Sequence, residues 1–268
     1  MTPDVEDSGQ TSRRTRRNMM AMGAILGSVV LAKTTTAFAC PPALCNSNCF
    51  LRGTKIRTAE GGREGERKVE DLKIGDLLPT MFGGLRPVQW IGRYPFKKSD
   101  PSKPWVKDAL PVRIARSSLA PDIPHADLYV TAAHSLLIDG VLIPAELLIN
   151  GTTITRYEAH EYDELEYFHV KLERHDVVYA EGAPAETLLK VEDSAVNFAD
   201  YLRRYGTAAT DEERCAPHIH TWGGRPELAS RLRSALSPWI DLRNRADVVR
   251  DQLEERGFVD LRQFETVR

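Results

Sequence analysis

Between Cys49 and about Val191, short stretches typical of β-strands alternate with residues typical of tight turns. Alternating, β-branched or aromatic residues mark 55–57, 88–91 and 167–172, and two longer apolar runs at 128–138 and 141–149 suit buried strands. The intervening turns fall at Gly61-Gly62, Gly75-Asp76, Gly83-Gly84, Asp139-Gly140 and Asn150-Gly151. Many short strands with frequent turns indicate a mainly β protein built on a compact all-β domain.

The segment from 191 to 268 has a different pattern, which predicts a mostly helical C-terminal extension. Pro226 suits the first turn of a helix, and leucines follow it at every fourth position, at Leu228, Leu232 and Leu236. A second helix is predicted over 241–256, ending at Gly257, with one apolar face formed by Leu242, Ala246, Val249 and Leu253. Two interpretations stay open: a helical hairpin packed on the β domain, or a module that binds a protein partner.

The first 39 residues predict a signal peptide. Four arginines between positions 13 and 17 precede an uncharged run over 19–32, which is too short to span a bilayer but suits the apolar core of a signal peptide. Small residues in Ala37-Phe38-Ala39 suit cleavage before Cys40, which leaves a short linker over 40–48. We therefore expect a periplasmic or secreted protein that meets the membrane only during export. Ser12-Arg13-Arg14 resembles a twin-arginine signal, and an uncleaved anchor or a lipidated Cys40 are the alternatives.

Charge and cysteine content narrow the classes of function. The net charge of −2 in 268 residues gives no general attraction to nucleic acid, so we expect no nucleic-acid partner. The four cysteines lie at 40, 45, 49 and 215, and an even number in an exported chain suggests disulfides. Cys40 with Cys45 is the plausible pair, which leaves Cys49 and Cys215 unassigned.

Three sequence blocks resemble the Hint (hedgehog/intein-type) domain family, most closely the bacterial subfamily found in exported proteins. The first block begins at Cys49 and reads C-F-x-x-G-T-x-I, followed after a variable hairpin by V-E-D-L-x-x-G-D over 69–76. The second is the T-x-x-H of Thr131 and His134, and the third covers 167–170 and 175–182. The resemblance covers about 49–190 and implies a Hint-type all-β domain.

The resemblance also implies chemistry at Cys49. In Hint domains the nucleophile attacks the carbonyl carbon immediately before it, here that of Asn48, and converts a peptide bond into a thioester. By resemblance, His134 protonates the leaving nitrogen of Cys49 while Thr131 holds or polarises the peptide. His169 stands where inteins carry Asp and hedgehog proteins carry Cys or Asp, and it could deprotonate Cys49 or activate the second nucleophile. The domain would act on its own chain, with no cofactor and no metal.

The sequence departs from the intein pattern at the end of the domain. Inteins finish on a His-Asn pair whose Asn cyclises, and counting from Gly182 these places hold Glu186 and Thr187. Threonine cannot form a succinimide, so we expect cleavage at the Asn48–Cys49 bond by water or another nucleophile, without splicing.

Two further hypotheses remain open. The chain could be a catalytically silent binding or structural module on a Hint scaffold, because signal cleavage would leave only residues 40–48 upstream of the nucleophile. Alternatively, Cys49 could be a redox residue paired with Cys45 or Cys215. Among the other titratable groups, His175 is interpreted as structural, and Cys215, His218 and His220 lack the fourth ligand of a typical zinc site.

Overall fold

A computed structural model describes residues 48–98, 100–191, 195–206, 214–219 and 245–265, with the side chains of 256–265 left out. The predicted signal peptide, nearly all of the linker, the Cys40–Cys45 pair, His220 and the helix predicted from Pro226 lie outside these residues.

The described residues contain thirteen β-strands, which confirms the prediction of a mainly β protein. In chain order they are β1 (Phe50–Leu51), β2 (Lys55–Glu60), β3 (Arg63–Lys68), β4 (Leu77–Thr80), β5 (Gly84–Lys97), β6 (Val112–Ile114), β7 (Leu128–Val130), β8 (Ser135–Ile138), β9 (Val141–Pro144), β10 (Ile154–Arg156), β11 (Glu164–Leu172), β12 (Val177–Ala180) and β13 (Ala183–Glu186). Short 3-10 helices occupy Val69–Asp71, Lys107–Ala109 and Ala145–Leu148.

All pairs between these strands are antiparallel, and they join in the order β10-β6-β7-β1-β11-β5-β4-β2-β12-β13-β8-β9, with β3 on β2 and a further β4–β12 pairing. The long pairing of β5 with β11 lies at the centre and runs from Lys97 opposite Glu164 to Val88 opposite Leu172. The two-residue strand β1 lies between β7 and β11, so Phe50 pairs with both Val130 and Phe168. The strand order therefore brings the start of the domain beside segments far along the chain.

Tight turns fix the register of the strand pairs near the end of the domain. Asp139-Gly140 joins β8 to β9 with φ of 49° and 76°, the positive values that a two-residue hairpin turn requires. Glu181-Gly182 joins β12 to β13 in the same way, with φ of 46° and 80°. Glutamate is uncommon in this conformation, so Glu181 is held by contacts beyond its own backbone preference.

Alternation along β1 and β11 divides the core into two clusters. Phe50 and Phe168 point into a large aliphatic cluster, whereas Cys49 and Tyr167 point into a second one that is rich in aromatic residues. All four side chains are at most 2% exposed, because both faces of these strands are covered. Cys49 thus begins the domain in a fully buried position.

The C-terminal extension contains two described helices, α1 (Phe198–Tyr205) and α2 (Arg245–Glu265). Ala246, Val249 and Leu253 of α2 are buried in the aliphatic cluster, so one face of the predicted second helix packs on the β domain. The expected stop at Gly257 is wrong, because α2 continues to Glu265. A glycine only lowers helix stability, and flanking residues with good helix propensity can carry the helix through it.

Residues 214–219 form a further connection between the extension and the sheet. His218 makes a parallel bridge with Leu142 of β9, supported by hydrogen bonds from the Leu142 amide to the carbonyl of Pro217 and from the Ile219 amide to the carbonyl of Leu142. Among the described residues, no helix is both long and apolar enough to cross a membrane.

Candidate active site

The peptide group of Cys49 is held by Thr131. The Cys49 amide donates to Thr131 Oγ1 at 3.0 Å, and the Thr131 amide donates to the Cys49 carbonyl at 3.0 Å. The strand pairing of β1 with β7 sets up this contact, because Thr131 directly follows β7 and faces the residue that precedes Phe50. The hydroxyl therefore accepts from the nitrogen that would leave if the Asn48–Cys49 bond were broken.

His134 lies in the turn that follows Thr131 and is fully buried. Its amide donates to the Thr131 carbonyl at 3.1 Å, which fixes the T-x-x-H turn, and its ring stacks obliquely on Phe50 at a centroid distance of 4.4 Å. Burial lowers the pKa of His134 to about 4, although the charge of Glu186 and the backbone of Cys49 and Glu186 oppose the shift. Neither ring nitrogen has a well-aligned hydrogen bond in the described part of the chain. The imidazole is therefore neutral near pH 7 and lies beside the Cys49 backbone.

His169 lies on β11, one residue beyond the strand partner of Phe50. Its ring is fully buried and approaches Tyr94 at a centroid distance of 4.6 Å. Burial lowers the pKa of His169 to about 3, and the nearby His134 contributes to the shift. The two predicted histidines are thus close enough to interact electrostatically, and both are neutral near pH 7.

Glu186, at the end of β13, is a charged group in the same neighbourhood. Its side chain is 1% exposed, and Oε1 accepts from the Ser135 amide at 2.9 Å. The pKa of Glu186 is lowered from its ordinary value. Burial on its own would raise this pKa, but the hydrogen bond from His175 and the charge of His134 are the largest of the contributions that lower it. An ionised Glu186 favours the protonated form of His134, since opposite charges attract strongly in a buried site.

Thr187 is fully buried and bonded to one backbone segment. Its hydroxyl accepts from the amide of Asp176 and donates to the Asp176 carbonyl, both at 3.0 Å. The Asp176 carboxylate in turn accepts from Arg86 Nε at 2.9 Å. This position is therefore part of a fixed hydrogen-bonded junction between β12 and β13.

The tail segment 214–219 packs against Glu186 and the residues around it. Arg214 Nη1 is 3.2 Å from Glu186 Oε2, and the Cys215 amide donates to His175 Nδ1 at 3.1 Å. His175 Nε2 faces Glu186 Oε2 at 3.3 Å, and Ser135 Oγ lies 3.1 Å from His218 Nε2. His175 is thus buried in a hydrogen-bonded arrangement, in keeping with its structural interpretation.

Cys49 and Cys215 are both thiols in the structure and are not bridged to each other. Burial raises the pKa of Cys215 to about 12, with the charges of Asp176 and Glu186 adding to the effect. A thiol with this pKa carries almost no thiolate near neutral pH, so Cys215 is a poor nucleophile.

A cleft of about 310 Å³ is lined in part by Leu51, two residues after Cys49. Leu51 belongs to the same aromatic-rich cluster as Cys49, although Cys49 does not line the cleft. The remaining lining residues are Arg52, Tyr162, Glu164, Leu165 and Glu166. The mixture of charged and apolar groups suits a peptide segment better than a purely apolar ligand.

The structure brings the four predicted residues into one region of the domain, because β1 lies between β7 and β11. Cys49 is bonded to Thr131, the backbone of Cys49 lies beside the ring of His134, and His134 interacts electrostatically with His169. An all-β domain that opens on a buried cysteine with this T-x-x-H turn defines a Hint-type scaffold.

Comparison with protein families agrees with this class. The family model described as Hint domain matches residues 48–192, more than half of the chain, and the protein belongs to the Hint domain family. No curated protein matches the chain significantly.

Glu186 is the residue near the site that sequence reasoning did not assign a role. In the sequence it stands only as the replacement for the histidine of the intein His-Asn pair. A useful signal was present, since a carboxylate that follows Ala185 and precedes Leu188 in an apolar stretch must find partners when it is buried.

Proposed function

We propose that this Hint domain processes its own chain by an N-to-S acyl shift at the Asn48–Cys49 bond. The observation that carries the proposal is the hydrogen bond from the Cys49 amide to Thr131 Oγ1, with the ring of His134 beside the same backbone. In this arrangement Thr131 can hold the leaving nitrogen, and His134 can transfer a proton to it.

The proposed first step is an attack by Cys49 Sγ on the carbonyl carbon of Asn48. The C–S bond forms, the C–N bond breaks, and the thiol proton passes to the nitrogen, which becomes the free α-amine of Cys49. Because burial lowers the pKa of His134 to about 4, its imidazole is a weak base and its imidazolium is a strong acid. The proposed role of His134 is therefore mainly to deliver the thiol proton to the leaving nitrogen.

Thr131 is proposed as the residue that positions the peptide. One hydrogen bond to Thr131 holds the nitrogen of the Asn48–Cys49 peptide, and a second holds the carbonyl of the following peptide, so the backbone on both sides of the Cys49 Cα is fixed. The Asn48 carbonyl must lose its amide resonance before the bond breaks, and a held nitrogen can more readily be distorted and protonated. His169 is proposed as an alternative acceptor of the Cys49 proton or as an activator of the second nucleophile.

In the second step, water or another nucleophile attacks the thioester carbon. The thiol of Cys49 is restored, and with water the upstream segment ends in the Asn48 carboxylate. Thr187 offers no side-chain amide to cyclise, so the proposal includes cleavage but not splicing. The cleft lined in part by Leu51 is the proposed approach for the second nucleophile.

The experiment is release of a carrier protein fused before Asn48, followed by intact-mass spectrometry. We expect slow release of the carrier, acceleration by a strong thiol or hydroxylamine, and an inert Cys49→Ala variant. Cys215→Ala is the matched control, because it removes a thiol that the mechanism does not use. Equal cleavage by Cys49→Ala and the unmodified chain would contradict the proposal and indicate a contaminating protease.

The second candidate function is an exported binding or structural module without a reaction. It is favoured by the complete burial of Cys49, which leaves water little access to a thioester. The same mass measurement distinguishes the candidates, since this one predicts an intact chain with a reactive thiol after denaturation. A redox role for Cys49 with Cys45 would instead give a mass lowered by bridging.

A further inference from the structure

One histidine and two glutamates from distant parts of the chain meet on a face that the reaction does not use. Glu66 belongs to β3, His125 precedes β7, and Glu181 lies in the turn between β12 and β13. His125 Nε2 is 3.3 Å from Glu66 Oε1 and 3.3 Å from Glu181 Oε2. The potential ligand atoms of all three residues lie within 4.8 Å of one another.

The carboxylate of Glu181 is the unusual member of this group. Glu181 is 5% exposed, and its Oε1 accepts from the Lys55 amide at 2.7 Å. Its Oε2 is buried and makes no hydrogen bond in the described part of the chain, although it faces His125 Nε2. A buried carboxylate oxygen needs a cation or a donor to offset its lost hydration, so this atom points to a positively charged ligand.

Two of the three separations between ligand atoms match those around a tetrahedral metal ion. Zinc bonds to imidazole nitrogen and carboxylate oxygen are about 2.0–2.2 Å long, which places neighbouring ligand atoms of a tetrahedron roughly 3.3–3.6 Å apart. The two measured separations from His125 Nε2 are both 3.3 Å.

The backbone also fixes the imidazole in place. The His125 amide donates to the Glu181 carbonyl at 2.9 Å, and a Cβ at Gly182 would lie 2.9 Å from His125 Nδ1. Only glycine at 182 therefore leaves room for the ring beside the turn that carries Glu181.

We propose that Glu66, His125 and Glu181 bind one Zn²⁺ ion, with water as the fourth ligand. A neutral imidazole and two carboxylates suit a borderline-soft divalent ion, and three protein ligands leave one position open to solvent. The ion fastens the β2–β3 hairpin to two segments that lead into the reaction centre. His125 lies six positions before Thr131, and Glu181 lies five positions before Glu186. None of the three residues takes part in the proposed acyl shift, so this site stands independently of that function.

The test is calorimetric titration of ZnCl₂ into the full chain and its variants. We expect one Zn²⁺ equivalent bound by the unmodified protein, binding at least tenfold weaker in Glu66→Gln, and no binding at this site in His125→Ala. His160→Ala is the matched control, because His160 is exposed and lies outside the group, and it should bind as the unmodified protein does. Absence of Zn²⁺ binding to the unmodified chain, or unchanged binding in Glu66→Gln and His125→Ala, would overturn the proposal and leave His125 as an ion-pair partner of the two glutamates.

Two further measurements separate this site from zinc bound by thiols. Co²⁺ bound here should give visible d–d bands without the intense near-ultraviolet charge-transfer absorption that thiolate ligands add. Strong near-ultraviolet absorption would contradict the assignment. At Zn²⁺ concentrations about a hundredfold above Kd, Tm should rise by roughly 5–10 °C in the unmodified protein. Glu66 is partly exposed, so Glu66→Gln should fold with an unchanged Tm without zinc and lose most of the zinc-dependent rise. A full rise in that variant would contradict the proposed ligand set.

Discussion

The two ends of the Hint domain differ in what their hydrogen bonds allow. At the first end, the Cys49 amide is bonded to a hydroxyl, and two neutral histidines lie nearby. At the second end, Glu186 accepts from Ser135 and faces His175 and Arg214, while Thr187 makes three hydrogen bonds to Asp176. The first end thus surrounds a peptide nitrogen with groups that can exchange a proton, whereas the second is a fixed network around a carboxylate.

The comparison bears on the proposed cleavage without splicing. In that proposal the side chain of Thr187 cannot cyclise, and the carboxylate of Glu186 supports the first end through its charge. Glu186 lowers the cost of protonating His134. On the proposed function, the two ends remain coupled electrostatically although only one of them reacts.

After the loss of the nucleophile itself, the largest effect should come from removing His134 at the first end. We expect His134→Ala to slow cleavage by about 10²–10⁴-fold, because general acid–base catalysis typically contributes this much. Thr131→Ala should slow cleavage less, since it loses positioning but keeps proton transfer. Release of the upstream carrier on a time-resolved gel measures both effects. Faster release by His134→Ala than by Thr131→Ala would reverse the assigned roles.

The pH dependence of stability should also distinguish the first end. The folded chain keeps His134 and His169 neutral down to pKa values of about 4 and about 3, whereas the unfolded chain binds these protons below about pH 6.5. The unfolded state therefore binds more protons, and the free energy of unfolding should fall as pH decreases from about 6.5 to 4. The expected slope is about 1.4 kcal/mol per pH unit for each histidine.

Urea unfolding at several pH values measures this slope. His169→Asn should remove about half of the slope that the two histidines contribute, and the exposed His160→Ala should leave it unchanged. A slope that is the same in His169→Asn and the unmodified protein would mean that His169 is not buried as a neutral group.

Much of the fold and the site followed from local patterns in the sequence. Asp139-Gly140 predicted a turn from chemistry that acts within two residues, and the resemblance of the T-x-x-H block to Hint domains placed Thr131 and His134 at the peptide of Cys49. Glu186 and the group around His125 could not be found in this way, because their partners lie up to 115 positions apart and meet only through strand order. The helix stop at Gly257 failed for a related reason, since glycine alone does not decide where a helix ends.

A smaller effect is expected from the redox state. Cys45 is four residues from Cys49 in sequence, and oxidation that joins them should block cleavage, so reductant should accelerate release of the carrier severalfold. Cys45→Ser should remove this dependence, whereas Cys215→Ser should not, because the high pKa of Cys215 makes it a poor partner. Equal rates with and without reductant in the unmodified chain would reject redox control.

We expect no ligation of the segments that flank the Hint domain. With a tag on each end of the chain, no product should carry both tags and lack the Hint domain, and Thr187→Asn alone should not create such a product. The substitution restores a side-chain amide, but position 186 still carries a carboxylate instead of the histidine that assists cyclisation in inteins. A joined product by mass spectrometry would show that the second end is more reactive than its hydrogen bonds suggest.

The packing of α2 has a consequence for the order of events during synthesis. Ala246, Val249 and Leu253 complete the aliphatic core, although they lie well beyond residue 192, where the family match ends. Roughly 200 residues separate Leu253 from Cys49, which takes about 10–40 s to translate at 5–20 residues per second. We therefore expect the aliphatic core to stay incomplete until α2 has been synthesised, so that the proposed self-cleavage would be delayed until then.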